Sequence, residues 1–375
     1  MKNPFVTNGY VSPEYFCDRE KETAKIVSLL MNENNIALIS PRRLGKTDLL
    51  RHCFGQSEIK EHYHTFIIDI YATSSVRDFV NVFGKAVLDE LRPKGKSVWS
   101  TFLNVLASLR SEITFDMNGQ PTWGIGLGAI TNPSATLDEI FSYLNNAGKP
   151  CLIAIDEFQQ ITKYTDDPNI EAALRTHIQR CSNAHFVFSG SHRHLMGAMF
   201  TSPARPFYQS VTLINLPPIS VDKYAEFCHK NFELAGKRLD TLVVAELYNR
   251  FNGITSYMQK VMNILFSMTG AGEICIPSMI DTAINDLLDF SADTYDALLY
   301  QMPEKQRIAF MAIAAEGKAK AISSGDFVRK YRLQSASSVS SAVKGLLEKD
   351  FITYDKGIYQ VYDQFFQLWL QRNKL

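Results

Sequence analysis

The chain has 375 residues and six cysteines, but no C-x-x-C pair: Cys17, Cys53, Cys151, Cys181, Cys228 and Cys275 are scattered. Zinc sites and redox dithiols need paired spacing, so the scatter points to reduced, mostly buried thiols in a cytoplasmic protein. Net charge is also lacking. The 39 Lys and Arg balance the 39 Asp and Glu, which leaves only a local basic surface to attract nucleic acid. No apolar run reaches the roughly 18 residues that cross a bilayer, and "MKNPFVTNGY" has no apolar leader segment. Neither a membrane nor a secretory route is expected. Tandem repeats, low-complexity tracts and any nuclease or protease constellation are missing too. With 46% hydrophobic and 21% charged residues, what remains is a globular chain long enough for two or three domains.

What is present is a rhythm of short apolar runs. "NIALIS" (35–40), "TFIIDIYAT" (65–73), "CLIAID" (151–156) and "AHFVFSG" (184–190) read as strands buried on both faces, separated by helical patterns. That alternation predicts an α/β fold, a parallel sheet with helices on both faces. Ligands bind such sheets at the carboxyl ends of the strands. "ITFDMNGQPTWGIGLG" (113–128) alternates around "MNGQP" and predicts a β-hairpin insertion. Its G-x-G-x-G opens no helix, so those glycines read as strand and turn features. "LPP" (216–218) punctuates the chain, and the sequence is then helical from Ser220 to Phe290. From Pro303, three helical patterns precede "FITYDKGIYQVYD", two strands joined at Asp355-Lys356-Gly357, which is the winged-helix pattern. The expected division is an α/β domain over 1–216, a helical lid over 217–295 and a winged-helix-like domain over 296–375.

The chemistry gathers where three strands end. "SPRRLGKTD" (40–48) reads as a phosphate-cradling G-x-x-x-x-G-K-[ST] loop with Ser40 at the first glycine. Pro41, Arg42, Arg43, Leu44, Gly45, Lys46, Thr47 and Asp48 form the candidate cradle. Gly45 supplies backbone freedom, and successive N–H groups at a helix start make an anion nest. Lys46 would reach the β/γ-phosphates of ATP and Thr47 would ligate Mg²⁺. Ser40 is expected to be tolerated at modest strain, and a chance G-K-T is the competing reading. "CLIAIDEF" weighs against chance: Asp156 can hold Mg²⁺ through water and Glu157 can deprotonate the attacking water, although the two acids could also simply cap a helix. In "FVFSGSHRH", Ser189 either contacts the γ-phosphate or lytic water, or joins Ser191 in building a loop; both readings stand. His192 and His194 lack a ligand set and read as solvated or helix-starting residues. Arg42 and Arg43 add charge near the γ-phosphate, face a neighbouring subunit, or are solvated.

Together with "PEYFCDREKETAKIVSLL", "RPFYQS" and the terminal "YDQFFQLWL", these motifs resemble the archaeal-type ATPase family within the AAA+/STAND group of P-loop NTPases, and the chain is similar to its bacterial members. The resemblance covers nearly the whole chain. It implies a P-loop NTPase fold with ATP, ADP and Mg²⁺ as ligands, and it makes S-P-R-R-x-G-K-T an ordinary loop form. It implies that Phe16, Arg19 and Glu20 lie near the adenine. Lys46, Thr47, Asp156 and Glu157 then take the phosphate, metal and catalytic roles, and Ser189 takes the sensor position. The lid stretch "NGITSYMQKV" (252–261) departs, with Ser256 where relatives often carry an arginine; Arg193 and Arg205 are candidates for an arginine finger. The expected function is an ATPase acting as a nucleotide-dependent switch on an unidentified protein partner, with oligomerisation open. One alternative is an ATP-regulated DNA-binding protein using residues 318–349, where Lys318, Lys320, Arg329, Lys330, Arg332, Lys344 and Lys349 supply the cations. Another is a nucleotide-binding scaffold with little turnover, which the intact Asp-Glu pair disfavours.

Overall fold

Every residue of β1 (Ile36–Ile39), β5 (Cys151–Asp156) and β6 (Ala184–Gly190) is buried. Strands with no wettable face belong in the middle of a sheet covered on both sides. They occupy that place in the computed structural model, which describes residues 2–91, 113–115, 121–123 and 132–374. With β2 (His64–Asp69) and β7 (Thr212–Asn215) they form a five-stranded sheet of order β2-β5-β6-β1-β7, and every neighbouring pair is parallel. This is the expected α/β fold. The sequence reading did not include β7: it is an edge strand of four residues with only Ile214 buried, too short and too exposed to announce itself. β6 lies between β1 and β5, and the register sets Ile39 beside Gly190 and Ile155 beside Phe188. The chain therefore leaves these three strands side by side at one edge of the sheet.

Two aromatic clusters fasten the helices to this sheet. Phe79 of the Val76–Glu90 helix stacks on Phe83, which meets Phe141 of the Pro133–Asn145 helix, and Phe141 stacks on Phe186 of β6 at 6.0 Å. Ser75 and Asn132 start those two helices by accepting the N–H of Asp78 and Ala135. In the second cluster Phe158 lies 4.4 Å from Phe188 and 5.4 Å from Phe207. Phe158 is fully buried and directly follows Glu157. Its burial, worth on the order of 2–3 kcal/mol, anchors the Asp156-Glu157 turn to the sheet. β3 (Ile113–Phe115) and β4 (Pro121–Trp123) pair antiparallel; the turn and the glycines of the expected hairpin lie outside the described residues.

The chain clusters into two units, Asn8–Lys223 and Met1–Thr7 with Tyr224–Leu375. Residues 1–7 go with the second unit, whereas the sequence reading grouped them with the sheet. Asn3 Nδ2 donates to the Asn263 carbonyl (2.8 Å), Asn263 Nδ2 donates to the Phe5 carbonyl (2.7 Å), and the Phe5 ring sits 5.7–5.9 Å from Phe227, Phe232 and Phe266. The second unit holds helices Thr241–Phe251, Thr255–Met268 and Met279–Phe290, with a parallel bridge between β8 (Arg238–Leu239) and β9 (Ile274–Cys275). Helices Ala292–Gln301, Glu304–Glu316, Gly325–Lys330 and Ala336–Glu348 follow. β10 (Ala319–Lys320), β11 (Ile352–Asp355) and β12 (Ile358–Val361) then form an antiparallel sheet of order β10-β12-β11, and the helix Gln364–Asn373 closes the chain. Lys356 and Gly357, at φ 47° and 82°, make the two-residue wing turn that "DKG" announces. Tyr257 is one of the residues that join lid and wing. Its hydroxyl donates to the Tyr362 carbonyl (3.1 Å) and accepts from Gln364 N (3.0 Å), and its buried ring touches Phe251 and Phe365. All six cysteines are buried thiols. Among the described residues no helix is long and apolar enough to cross a membrane.

Candidate nucleotide site

Gly45 has φ 83° and caps the Lys46–Phe54 helix. A Cβ there would meet nothing within 4 Å, so the requirement for glycine is one of backbone conformation, not space. The first intrahelical bond runs from Leu49 N to the Gly45 carbonyl (2.9 Å). The N–H groups of Lys46, Thr47 and Asp48 precede it, at the positive end of the helix dipole. Ser40 was expected to carry modest strain. Its φ lies outside the left-handed region, and its buried hydroxyl donates to the Pro41 carbonyl at 2.9 Å. The left-handed non-glycine residue of the loop is Arg43, at φ 69°, a conformation that costs about 1–2 kcal/mol.

Lys46 is buried, and its Nζ donates to the Ser40 and Pro41 carbonyls over long contacts of 3.3 and 3.4 Å. Burial pushes its pKa down, while Glu157 and Asp156 pull it back up. Asp156 ties the three strand ends together. Its Oδ2 accepts from Thr47 Oγ1, and its Oδ1 accepts from Ser189 Oγ and from Glu157 N (3.0 Å). Glu157 stands in left-handed backbone, φ 55°. Its Oε2 accepts from Ser191 Oγ at 2.8 Å and from Gln159 Nε2. Ser191 Oγ in turn accepts from Arg42 Nε at 2.9 Å, and the Arg42 guanidinium lies 5.5 Å from the centre of the Tyr71 ring. Asp69 pairs in register with Asp156. Burial raises its pKa, the Tyr71 N–H (2.8 Å) lowers it, and Asp156 and Glu157 raise it further.

Of the residues singled out from the sequence, Arg42, Lys46, Thr47, Asp156, Glu157 and Ser189 converge, with the Pro41 carbonyl against Lys46 and Leu44 buried beneath. Ser189 and Ser191 are hydrogen-bonded to Asp156 and Glu157 respectively. Asp48 turns toward Arg51 (3.9 Å), and burial raises its pKa. Phe16 packs at the far end of the same helix, stacked on His52 at 4.4 Å with Tyr10 edge-on at 5.6 Å. Arg19 is buried, at φ 77°, and binds Glu22 (2.8 Å), with its Nη2 left without a hydrogen-bond partner among the described residues. His192 caps the Arg193–Thr201 helix. No group of three or more His, Cys, Asp or Glu side chains gathers as a metal cage among the described residues. Arg205 is bound to Glu171 within the chain; Arg193 is exposed. Gln159, Asp69 and Gly190 are not among the residues singled out from the sequence; the turn after β5 brings Gln159 to the site, and strand register brings Asp69 and Gly190.

The donor set suits a nucleotide with Mg²⁺. Thr47 and Asp156 offer hard oxygens, while Asp69 and Glu157 add negative charge nearby. An octahedral cation needs few protein ligands when phosphate and water complete its shell, and the helix start at Gly45 suits the phosphates.

Residues 16–261 match the family described as an ATPase domain predominantly from Archaea, and residues 293–372 match a probable winged helix domain. No curated protein sequence matches the chain. Among solved structures, a Walker-type ATPase of Pyrococcus abyssi superposes with TM-score 0.64 at 17% identity, over 98% of this chain and 99% of that one. The ORC2 protein of Aeropyrum pernix in its ADPNP–ADP complexes gives 0.56 at 13%, over 99% and 98%. The ORC1 protein of the same organism in complex with DNA gives 0.53 at 12%, over 96% and 94%. At these identities the likeness is one of fold.

Proposed function

The chain belongs to the ATPase family found predominantly in Archaea, and from that premise we propose that it binds ATP with Mg²⁺ and hydrolyses it to ADP and phosphate as a nucleotide-dependent switch. The observation that carries this reading is the convergence of Lys46, Thr47, Asp156, Glu157 and Ser189 at three neighbouring strand ends. Residues 40–47 then act as a Walker A loop and Asp156-Glu157 as a Walker B pair. Lys46 and the N–H groups of the helix start bind the phosphates, with Arg42 and Arg43 adding charge. Thr47 and Asp156 hold Mg²⁺, which when bound neutralises charge developing on the phosphates. Glu157 accepts the proton of the attacking water, and Ser189 holds Asp156 in place and reads the γ-phosphate. Residues 1–216, 217–295 and 296–375 serve as ATPase domain, lid and winged helix of a STAND-type protein. The six buried thiols support a cytosolic location. The assay is ATP turnover by wild type and Glu157→Gln. The amide oxygen of glutamine still accepts from Ser191 and Gln159, so the fold and ATP binding persist while turnover falls about 10²–10⁴-fold, the usual worth of a general base. Undiminished turnover sinks the assignment.

A second reading, DNA binding through residues 318–349, rests on the helix Ala336–Glu348, whose exposed face carries Ser337, Ser341 and Lys344. Against it, Lys330 is bound to Glu316 (2.6 Å), Arg329 to Asp326, and Lys344 lies 4.0 Å from Glu348. A salt titration with duplex DNA decides: no affinity at low salt removes this reading.

A further inference from the structure

We propose that Gln159 and Ser191, with Ser191 set by Arg42, are positioning residues that hold one oxygen of Glu157 so that the other takes the proton from water. This rests on the hydrolytic reading above. In that step a water O–H bond breaks and its proton goes to Glu157 Oε1. The water oxygen bonds to the γ-phosphorus as the bridging P–O bond to ADP breaks.

Three features carry the inference. First, both donors converge on Oε2, which pins that oxygen and leaves Oε1 as the oxygen for water. Second, the direction of each donor is determined. Ser191 has a single hydroxyl proton and its oxygen already accepts from Arg42 Nε, so the proton is aimed at Glu157. An arginine of the phosphate loop is thereby linked to the orientation of the base. The Gln159 amide must turn its NH₂ to a carboxylate, because the opposite orientation would oppose two acceptors. That choice leaves its buried Oε1 without a donor among the described residues, a cost accepted at a side chain that is 3% exposed.

Third, the sheet makes room for Gln159. A Cβ on Gly190 would lie 2.3 Å from Gln159 Oε1 and 2.7 Å from Met196 Cγ. Gly190 has no left-handed φ, so glycine is needed there for clearance alone. Met196 is fully buried, so a larger residue presses on both side chains, and the tighter contact falls on the Gln159 amide that is bound to Glu157. The left-handed backbone of Glu157 fits a side chain whose place is over-determined by its surroundings.

The test uses the full chain carrying Ser191→Ala, Gln159→Leu, Gly190→Ala or Ser191→Thr. Steady-state kinetics with ATP and Mg²⁺ should show kcat lowered about tenfold in each of the first three, the effect of losing one hydrogen bond to a charged group. KM should stay unchanged, and Ser191→Thr should keep wild-type kcat. Arg42→Ala should lower kcat by a smaller factor in the Ser191→Ala background than in wild type, because the part of its effect that runs through Ser191 is already lost. Crystal structures of Ser191→Ala and Gln159→Leu read the carboxylate directly, and it should be turned from its wild-type position. An unmoved carboxylate, or a moved one with kcat unchanged or raised, overturns the proposal. Wild-type protein that binds ATP but turns it over no faster than Glu157→Gln overturns the hydrolytic reading instead. The carboxylate position in the crystals then decides the positioning role by itself.

Discussion

Replacing Lys46 by methionine keeps the length of the stem and removes the charge. In the folded protein the ammonium is buried and, among the described residues, donates to two carbonyls, at 3.3 and 3.4 Å. Burial holds its pKa below the ordinary 10.5 against the pull of Glu157 and Asp156. A lysine with a depressed folded pKa takes stability away at neutral pH and gives it back only as the pH rises toward 10.5. Folding stability should therefore be unchanged or slightly higher in Lys46→Met, as is common when a poorly paired buried charge becomes apolar. Binding should respond in the opposite direction. A hydrogen bond from an ammonium to phosphate is worth about 1.5–3 kcal/mol, so the Kd for ATP with Mg²⁺ should rise about 10- to 150-fold. Calorimetric titration gives the Kd and urea unfolding gives the stability. An affinity within about threefold of wild type would refute the placing of Lys46 on the phosphates. A parallel collapse of stability and binding would make it a structural lysine.

Further tests follow the same lines. Ser40→Gly should leave ATP affinity within about twofold, because Ser40 already has an ordinary φ. It should cost about 0.5–1 kcal/mol of stability through the freer unfolded chain, read by urea unfolding. Thr47→Val removes a donor to Asp156 and a hard metal ligand; half-maximal activity should need several-fold more Mg²⁺, and an unchanged Mg²⁺ titration would remove Thr47 from the metal. Burial pushes the Cys53 thiol from 9.0 up to about 12. The folded chain keeps this proton while the unfolded chain loses it, so the stability from this site is complete below 9 and is lost as the pH rises toward 12. Near pH 10 the loss is about 1 kcal/mol, and Cys53→Ala should flatten that slope in unfolding curves taken against pH.

Sequence made the centre of the fold readable because the physics there is local. A run such as "CLIAID" must be a buried strand, and G-K-T before a helical pattern places an anion nest where such a strand ends. The wing turn was readable for the same reason, since Lys356 and Gly357 adopt a backbone that few residue pairs tolerate. What escaped depends on partners distant along the chain. β7 shows only Ile214 to the core. Phe5 sits in a polar stretch and reveals its role only beside Phe227, Phe232 and Phe266. Gln159 looks like any glutamine until strand register brings Gly190 against it. Ser40 is expected to carry strain because the glycine of the consensus suggests a special φ, and the chain here does not use one.

The Tyr257 clasp bears on how the C-terminal unit can be cut and how it melts. Its hydroxyl is satisfied from both sides by the backbone around Asp363, and Phe251 and Phe365 lie against its ring. A truncation before the wing would strip a phenolic oxygen of its partners and bare an aromatic surface on the lid. The fragment would be sticky and partly unravelled, and loss of function in it would say nothing about the wing itself. For the same reason residues 224–375 should lose structure in a single cooperative transition, with lid and wing sharing one melting temperature.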